Sequence, residues 1–168
     1  MRKTVIGVMG PGEKATENDL QNAYELGQFI AQQGWILLTG GRNIGVMDAA
    51  SKGAKSCNGL TIGILPNSDQ DGISEAVDIA IFTDMGNARN NINVLSSDVV
   101  IACGMGAGTA SEIALALKAK KQVILLTDDV ESKSFFKSMS PENVYIVESV
   151  VEAIATAKTI LSFDTHNL

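Results

Sequence analysis

The chain has 168 residues, with 13 basic and 19 acidic side chains, a formal net charge of −6, 5% aromatic residues, two cysteines and one histidine. The lone His166 excludes a multi-histidine metal centre and argues against a Ser-His-Asp triad, and Cys57 and Cys103 are too few for a zinc ribbon or disulfide framework, as suits a reducing cytoplasm. The acidic balance argues against nucleic acid, which needs clustered Lys and Arg, while 45% hydrophobic residues suffice for one core, so residues 1–168 are expected to form a single domain.

In chain order, a short apolar run at residues 4–9 is followed by Leu20, Ala23, Tyr24, Gly27, Ile30 and Ala31 at helical spacing. Further runs lie at 35–39, 61–65, 79–83 and 98–103. Ile113, Leu115, Ala116 and Leu117 then mark a helix, runs follow at 122–127 and 143–147, and Val150, Val151, Ile154, Ala157 and Ile160 mark the last helix. Most runs are nearly continuous in apolarity, as strands are when both faces of a sheet are covered. Strand and helix alternating in this way predict an α/β fold: a doubly wound, mostly parallel sheet with helices on both faces. Residues 128–141 are the least regular stretch, with a tip expected at the surface. No membrane or export segment is expected: the uncharged stretch at residues 99–111 is glycine-rich and short of the roughly 20 apolar residues a spanning helix needs. The expectation is a cytoplasmic protein without membrane contact.

Half of the 16 glycines fall in three loops, each directly after a predicted strand. These are Gly10-Pro11-Gly12, then Gly40-Gly41-Arg42-Asn43-Ile44-Gly45, then Gly104-Met105-Gly106-Ala107-Gly108-Thr109. Ligands of open α/β sheets bind beyond the carboxyl ends of the strands, where such loops offer backbone N–H groups and a helix N-terminus to an anion. Three together predict a pocket for a phosphate or another oxyanion. Gly-Met-Gly-Ala-Gly is not a dinucleotide fingerprint, and no Walker lysine is present. Among neighbouring residues, Asn43, Asn87, Asn90, Asn91 and Asn93 are neutral donors and acceptors, some of them helix caps. Cys103 reads as a small buried hydrophobe, and Cys57, on a helix, reads the same way. Met47 and Met105 read as packing or lining, and Lys118, Lys120 and Lys121 as a solvated face at a helix end.

Arg89 together with residues 97–112, Ser-Asp-Val-Val-Ile-Ala-Cys-Gly-Met-Gly-Ala-Gly-Thr-Ala-Ser-Glu, resembles the P-G-G-x-G-T-x-x-E signature of the family once mislabelled lysine decarboxylases. That family includes the LOG cytokinin-activating phosphoribohydrolases. Gly40-Gly41-Arg-Asn-Ile-Gly45-Val46-Met47, Gly59 and Ile62-Gly63-Ile64-Leu65-Pro66 resemble its G-G-x-x-x-G-x-M and G-I-x-P elements. A smaller branch, the molybdenum cofactor carrier proteins, is more similar still. Its glycine loop lacks the proline, and its alanine-rich G-V-M-x-A-A-x-x-G-A helix matches residues 45–54.

The resemblance implies a Rossmann-like fold, a homo-oligomer with a tetramer favoured over a dimer, and a site at the strand ends. It implies molybdenum cofactor (molybdopterin) as the bound ligand, no structural metal, and molybdenum enzymes as recipients. The ligand-binding set is then Gly10, Pro11, Gly40, Gly41, Arg42, Asn43, Gly45, Arg89, Gly104, Met105, Gly106, Ala107, Gly108, Thr109 and Glu112. Under the alternative, a LOG-like nucleoside 5′-monophosphate phosphoribohydrolase, Arg89 and Glu112 are the catalytic pair. Arg89 would hold an anionic group, and Glu112 would steady oxocarbenium charge or activate water. A third reading is a nucleotide-binding oligomer with another ligand. The LOG lysine after the arginine is here Asn90, and Gly104, Met105 and Ser111 replace its signature proline, first glycine and preceding glutamate. Less charge surrounds the pair, which favours holding an anion over transforming one. A plain structural role for Glu112 is a place in the first turn of its helix, paired with Arg89.

Overall fold

The computed structural model describes residues 2–164, apart from the side chain of Asp164; His166 lies outside the described residues. Seven strands form one sheet in the order β4-β3-β2-β1-β5-β6-β7, and every strand pair is parallel. They are β1 (Val5–Met9), β2 (Ile36–Thr39), β3 (Thr61–Leu65), β4 (Ile79–Phe82), β5 (Val99–Cys103), β6 (Val123–Leu126) and β7 (Val144–Ile146). The α-helices are α1 (Glu17–Gln32), α2 (Gly45–Ser56), α3 (Asn90–Ser96), α4 (Ala107–Lys118), α5 (Val130–Met139) and α6 (Val150–Asp164), with a 3-10 turn at Gly86–Arg89 leading into α3.

Strands β1 and β5 are buried at every position, because helices cover both faces. Ile6, Val8, Ile101 and Ile124 face one core with Leu26 of α1, Ala50 of α2 and Ile154 of α6. Met9, Val100, Ala102 and Leu125 face the other with Val94 of α3, Ile113 of α4 and Phe136 of α5. This is the doubly wound architecture the sequence predicts. Strand order runs outward in both directions from β1 and β5, so the crevice of a doubly wound sheet falls between their carboxyl ends.

Helix α1 starts on a capping box, in which Thr16 Oγ1 accepts from the Asp19 N–H and the Asp19 carboxylate accepts from the Thr16 N–H. It packs on α2 with the backbones in contact. A Cβ at Gly27 would lie 2.1 Å from the Ala50 carbonyl oxygen, and one at Gly53 would lie 1.9 Å from that of Tyr24. That approach seats α2, and the loop before it, against the end of β1.

Three expectations need correction. The stretch 128–141 contains a regular helix, α5, capped by the Asp129 carboxylate, which accepts from the Ser132 N–H at 2.6 Å. Lys121 does not join Lys118 and Lys120 on a solvated face. It is half-buried after α4, where its ammonium donates to the Ser97 carbonyl and burial lowers its pKa. Cys57 caps the end of α2 and is not part of the helix.

Candidate functional site

The loops after β1, β2 and β5 meet at the crevice because glycine lets them touch. A Cβ at Gly10 would lie 2.3 Å from the Cys103 carbonyl oxygen, so the ends of β1 and β5 close on each other. Gly45 has φ 58°, a left-handed conformation that favours glycine, and its Cβ would lie 2.3 Å from both the Pro11 and Gly12 carbonyl oxygens. The Val46 N–H donates to the Pro11 carbonyl at 3.0 Å, tying the first loop to the start of α2. The Arg42–Ile73 bridge and the Asn43 N–H bond to the Gly72 carbonyl strap the second loop from outside.

Together they enclose a cavity of about 320 Å³, near the lower bound for small-molecule sites. Gly10, Pro11, Gly40, Arg42 and Arg89 line one side, and Gly106, Ala107, Gly108, Thr109 and Glu112 line the other. Asn87, Asn90 and Met47 also line it. Five residues of the expected set do not. Gly41 packs against the Gly63 backbone, Asn43 is exposed, Gly45 is turned onto the first loop, Gly104 lies against the Asp19 carboxylate, and Met105 packs toward the α3–α5 core. They shape the loops without facing the cavity.

The set also omits residues that the cavity includes, notably Gly12, Glu13, Lys14 and Ile44. Glu13 and Lys14 are exposed and follow Gly-Pro-Gly directly after β1. Charge in a loop already marked by glycine was the available signal. Lys14 joins Arg42 and Arg89 as a third cation at the cavity.

The 3-10 turn delivers Arg89 to the cavity wall, where the residue is only 9% exposed. Its guanidinium lies over Gly40, where a Cβ would come within 2.8 Å of Nη2. Nη1 donates to Asn90 Oδ1 at 2.7 Å, and Asn90 Nδ2 in turn donates to Ser111 Oγ at 3.0 Å. Asn90 and Ser111, which replace charged residues of the LOG pattern, thus hold the arginine through neutral hydrogen bonds. Burial lowers the Arg89 pKa, the Glu112 charge works against that shift, and Arg42 adds to it.

Glu112 lies in the second turn of α4, beyond the first turn where the dipole acts most strongly, and is 6% exposed. Asn93 Nδ2 donates to its Oε1 at 2.9 Å. No ion pair joins it to Arg89 among the described residues. Burial pushes its pKa up to about 7, outweighing the Asn93 hydrogen bond and the Arg89 charge, which both pull it down. Both parts of the plain structural reading, a first-turn position and an ion pair with Arg89, therefore fail.

Among the described residues, three buried polar atoms near this wall lack partners: Arg89 Nε, Asn93 Oδ1 and Thr109 Oγ1. Buried polar groups are usually satisfied, so these mark where a ligand or ordered water completes the wall. The α4 N-terminus has no side-chain cap, which leaves its first amides to the cavity. Cys103 does not line the cavity. Its thiol is buried, donates to the Asp19 carbonyl at 3.4 Å, and has its pKa raised by burial.

An all-parallel, doubly wound sheet with an amide- and arginine-lined cavity at its strand-order switch defines a Rossmann-like α/β protein with its pocket at the strand ends. A model of the SLOG cluster4 family matches residues 3–154, and the chain belongs to that family. The molybdenum cofactor binding protein from the phototrophic bacterium Rippkaea orientalis is 63% identical with a TM-score of 0.95, covering 96% of this chain and 99% of that one. The Moco carrier protein from Chlamydomonas reinhardtii is 56% identical with a TM-score of 0.90 over the same shares. A cytokinin riboside 5′-monophosphate phosphoribohydrolase of Mycobacterium tuberculosis is 34% identical over 101 residues, which is 56% of this chain and 51% of that enzyme. The resemblance read from residues 45–54 and 97–112 thus extends over nearly the whole chain for the carrier branch and about half of it for the hydrolase.

Proposed function

We propose that this protein binds molybdenum cofactor as cargo in the cavity between the ends of β1, β2 and β5, and that it carries and protects it. The observation that carries this reading is the wall itself. Lys14, Arg42 and Arg89 and the uncapped α4 amides converge on one cavity, and Arg89 Nε and Thr109 Oγ1 are buried there without partners. The cofactor's phosphate and oxyanionic metal centre call for such donors, and its pterin edge suits Asn87 and Asn90. The near-full-length identity to cofactor carriers supports the same reading. Arg42, Arg89 and the residues 106–109 would hold the anionic groups, while Gly10, Pro11 and Gly40 keep the backbone close.

Mixing the protein with cofactor-loaded extract, desalting and measuring molybdopterin fluorescence tests this. Retention that falls in Arg89→Ala is expected, and no retention by the wild type refutes it.

The phosphoribohydrolase reading keeps one specific observation in its favour: Arg89 and Glu112 share a wall of the cavity. Incubation with AMP or a cytokinin ribotide, followed by assay for ribose 5-phosphate, separates the two. Release that disappears in Glu112→Ala would overturn a purely carrying role.

The proposal extends to a single cytoplasmic domain that passes its cargo to molybdenum enzymes, and to a homo-oligomer, favoured as a tetramer. Met85 and Leu95, about half exposed beside Leu115, support association between copies. Light scattering after size exclusion tests the oligomer. Among the described residues no helix is long and apolar enough to cross a membrane.

A further inference from the structure

Two carboxylates line the cavity: Glu13, exposed at the mouth, and Glu112, buried in the wall. Of the two, only Glu112 is largely buried, so water screens it less from an incoming anion. Its Oε1 is engaged by Asn93 Nδ2, and no hydrogen bond is made by Oε2 among the described residues. Around it, Arg89 Nε, Thr109 Oγ1 and Asn93 Oδ1 are buried and unpartnered. These groups are arranged as a hydrogen-bonding wall in which one member carries the same sign of charge as the ligand.

Among the described residues, no ion pair neutralises that charge. Helix α3 brings Asn90 and Asn93 but no titratable side chain, β5 brings only buried Cys103, and β6 brings none. Across the cavity stand Arg89 from the 3-10 turn, Arg42 from the loop after β2, and Lys14 and Glu13 from the loop after β1. Once an oxyanion engages those cations, they no longer favour an ionised Glu112. An adjacent like charge and burial both then favour the protonated form.

We propose that Glu112 serves this site as a neutral acid: it holds a proton when an oxyanion is bound and donates it in a hydrogen bond to the ligand, so that capture takes up one proton from solution. A carboxylate kept for ion pairing would need a cation in contact. One kept as a hydrogen-bond donor needs a largely buried carboxyl with an oxygen left over, and Glu112 is 6% exposed with Oε2 unengaged among the described residues. The inference rests on the cavity being an anion site, as the carrier reading requires, and makes binding a function of pH. In the free protein Glu112 is half-ionised near neutrality. Below that range it is already protonated and affinity is flat. Above it each binding event must add a proton, and affinity weakens as pH rises.

Sulfate is the probe, because it does not itself titrate in this range. Calorimetric titration of the full chain with sulfate, in buffers of different ionisation enthalpy, counts the protons. The expected result is uptake approaching one per site near pH 8, with a Kd that rises at least about fivefold between pH 7 and pH 8.5. Glu112→Gln keeps the shape and a donor, so its affinity should be flat with pH and match at about pH 8.5 that of the wild type at about pH 6.5. No sulfate binding at about pH 6.5, zero uptake, a pH-flat wild type, or pH dependence that survives in Glu112→Gln each overturns the proposal. Should the variant fail to fold, the Glu112 carboxyl carbon in wild type labelled with ¹³C-glutamate decides. Its titration midpoint must rise on adding sulfate, and an unmoved midpoint refutes the coupling. A protein that couples sulfate to protons but retains no molybdopterin loses the cargo reading alone. One that retains molybdopterin with pH-flat sulfate binding loses the coupling alone.

Discussion

Glu112 places an acid where burial opposes its charge, and Glu112→Gln in the ligand-free protein measures the cost. The carboxyl has its pKa raised from 4.5 to about 7 in the fold. A raised folded-state pKa contributes stability that is fully present below the unfolded value and is lost as pH rises through the folded one, so the window runs from about pH 4.5 to about pH 7. A tenfold difference in proton affinity is about 1.4 kcal/mol, so the ionised form costs on the order of 3 kcal/mol above that window and about 1 kcal/mol at pH 5. Gln removes the charge and leaves an amide oxygen to accept from Asn93 Nδ2. The variant should therefore be more stable than wild type by about 2–3 kcal/mol at pH 8 and by no more than about 1 kcal/mol at pH 5. Urea unfolding at both pH values, with unchanged m-values, reads the difference. A variant no more stable at pH 8, or one that gains equally at both, would refute the reasoning. The expected gain would mean that the carboxylate lowers stability and is not retained for the fold.

Three further outcomes follow from the geometry. Gly53→Ala should destabilise by about 1–3 kcal/mol in urea unfolding although Ala gains about 1 kcal/mol in a helix, because its Cβ would meet the Tyr24 carbonyl oxygen at 1.9 Å and backbone cannot rotate away; a more stable variant would show that α1 and α2 separate freely. Arg89→Lys should lose molybdopterin retention at least about tenfold, as expected also for Arg89→Ala, since an ammonium lacks the planar fork that could bond Asn90 and a ligand together; full retention would mean that charge alone suffices. A thiol reagent should titrate half-buried Cys57 in the native protein and Cys103 only after unfolding, because Cys103 is buried and its pKa is raised; rapid modification of both would contradict the closed β1–β5 junction.

All seven strands fall within the predicted runs; β1, β5 and β6 were legible because burial on both faces leaves unbroken apolar runs, while the edge strands β4 and β7 keep apolar residues although mostly exposed. Helix α5 was not, because its side chains carry no stripe: Phe136 is buried while Val130, Phe135 and Met139 are exposed. Its remaining local signal was Asp129, whose capping role needs Ser132 in place. The three loops could be located from glycine clustering, but sequence does not separate a glycine that faces a ligand from one pressed on a neighbouring backbone. Gly106 and Gly108 line the cavity, whereas Gly41 and Gly45 are used for contact with Gly63 and with the first loop. Lys121 misled for the same reason: a lysine run at a helix end reads as solvated, and only the tertiary fold brings the Ser97 carbonyl beneath one member.

The same distinction bears on carrying against cleaving. Both readings use Arg89, and both place an anion beside the α4 amides. They diverge at Glu112, because steadying an oxocarbenium ion needs a carboxylate that stays charged, whereas activating water needs one that takes up a proton near the working pH. A wall that raises its pKa to about 7 works against the first of these roles only, and Asn93 Nδ2 offers it one neutral donor where a contacting cation would hold it ionised. Asn90 and Ser111 continue the pattern, since they orient Arg89 without adding charge. A site that hydrolysed a glycosidic bond would gain from restoring a cation beside Glu112, whereas one that grips an oxyanion gains from letting the acid go neutral. Around Arg89 and Glu112 stand Asn90, Asn93 and Ser111, which supply neutral hydrogen bonds in place of that cation.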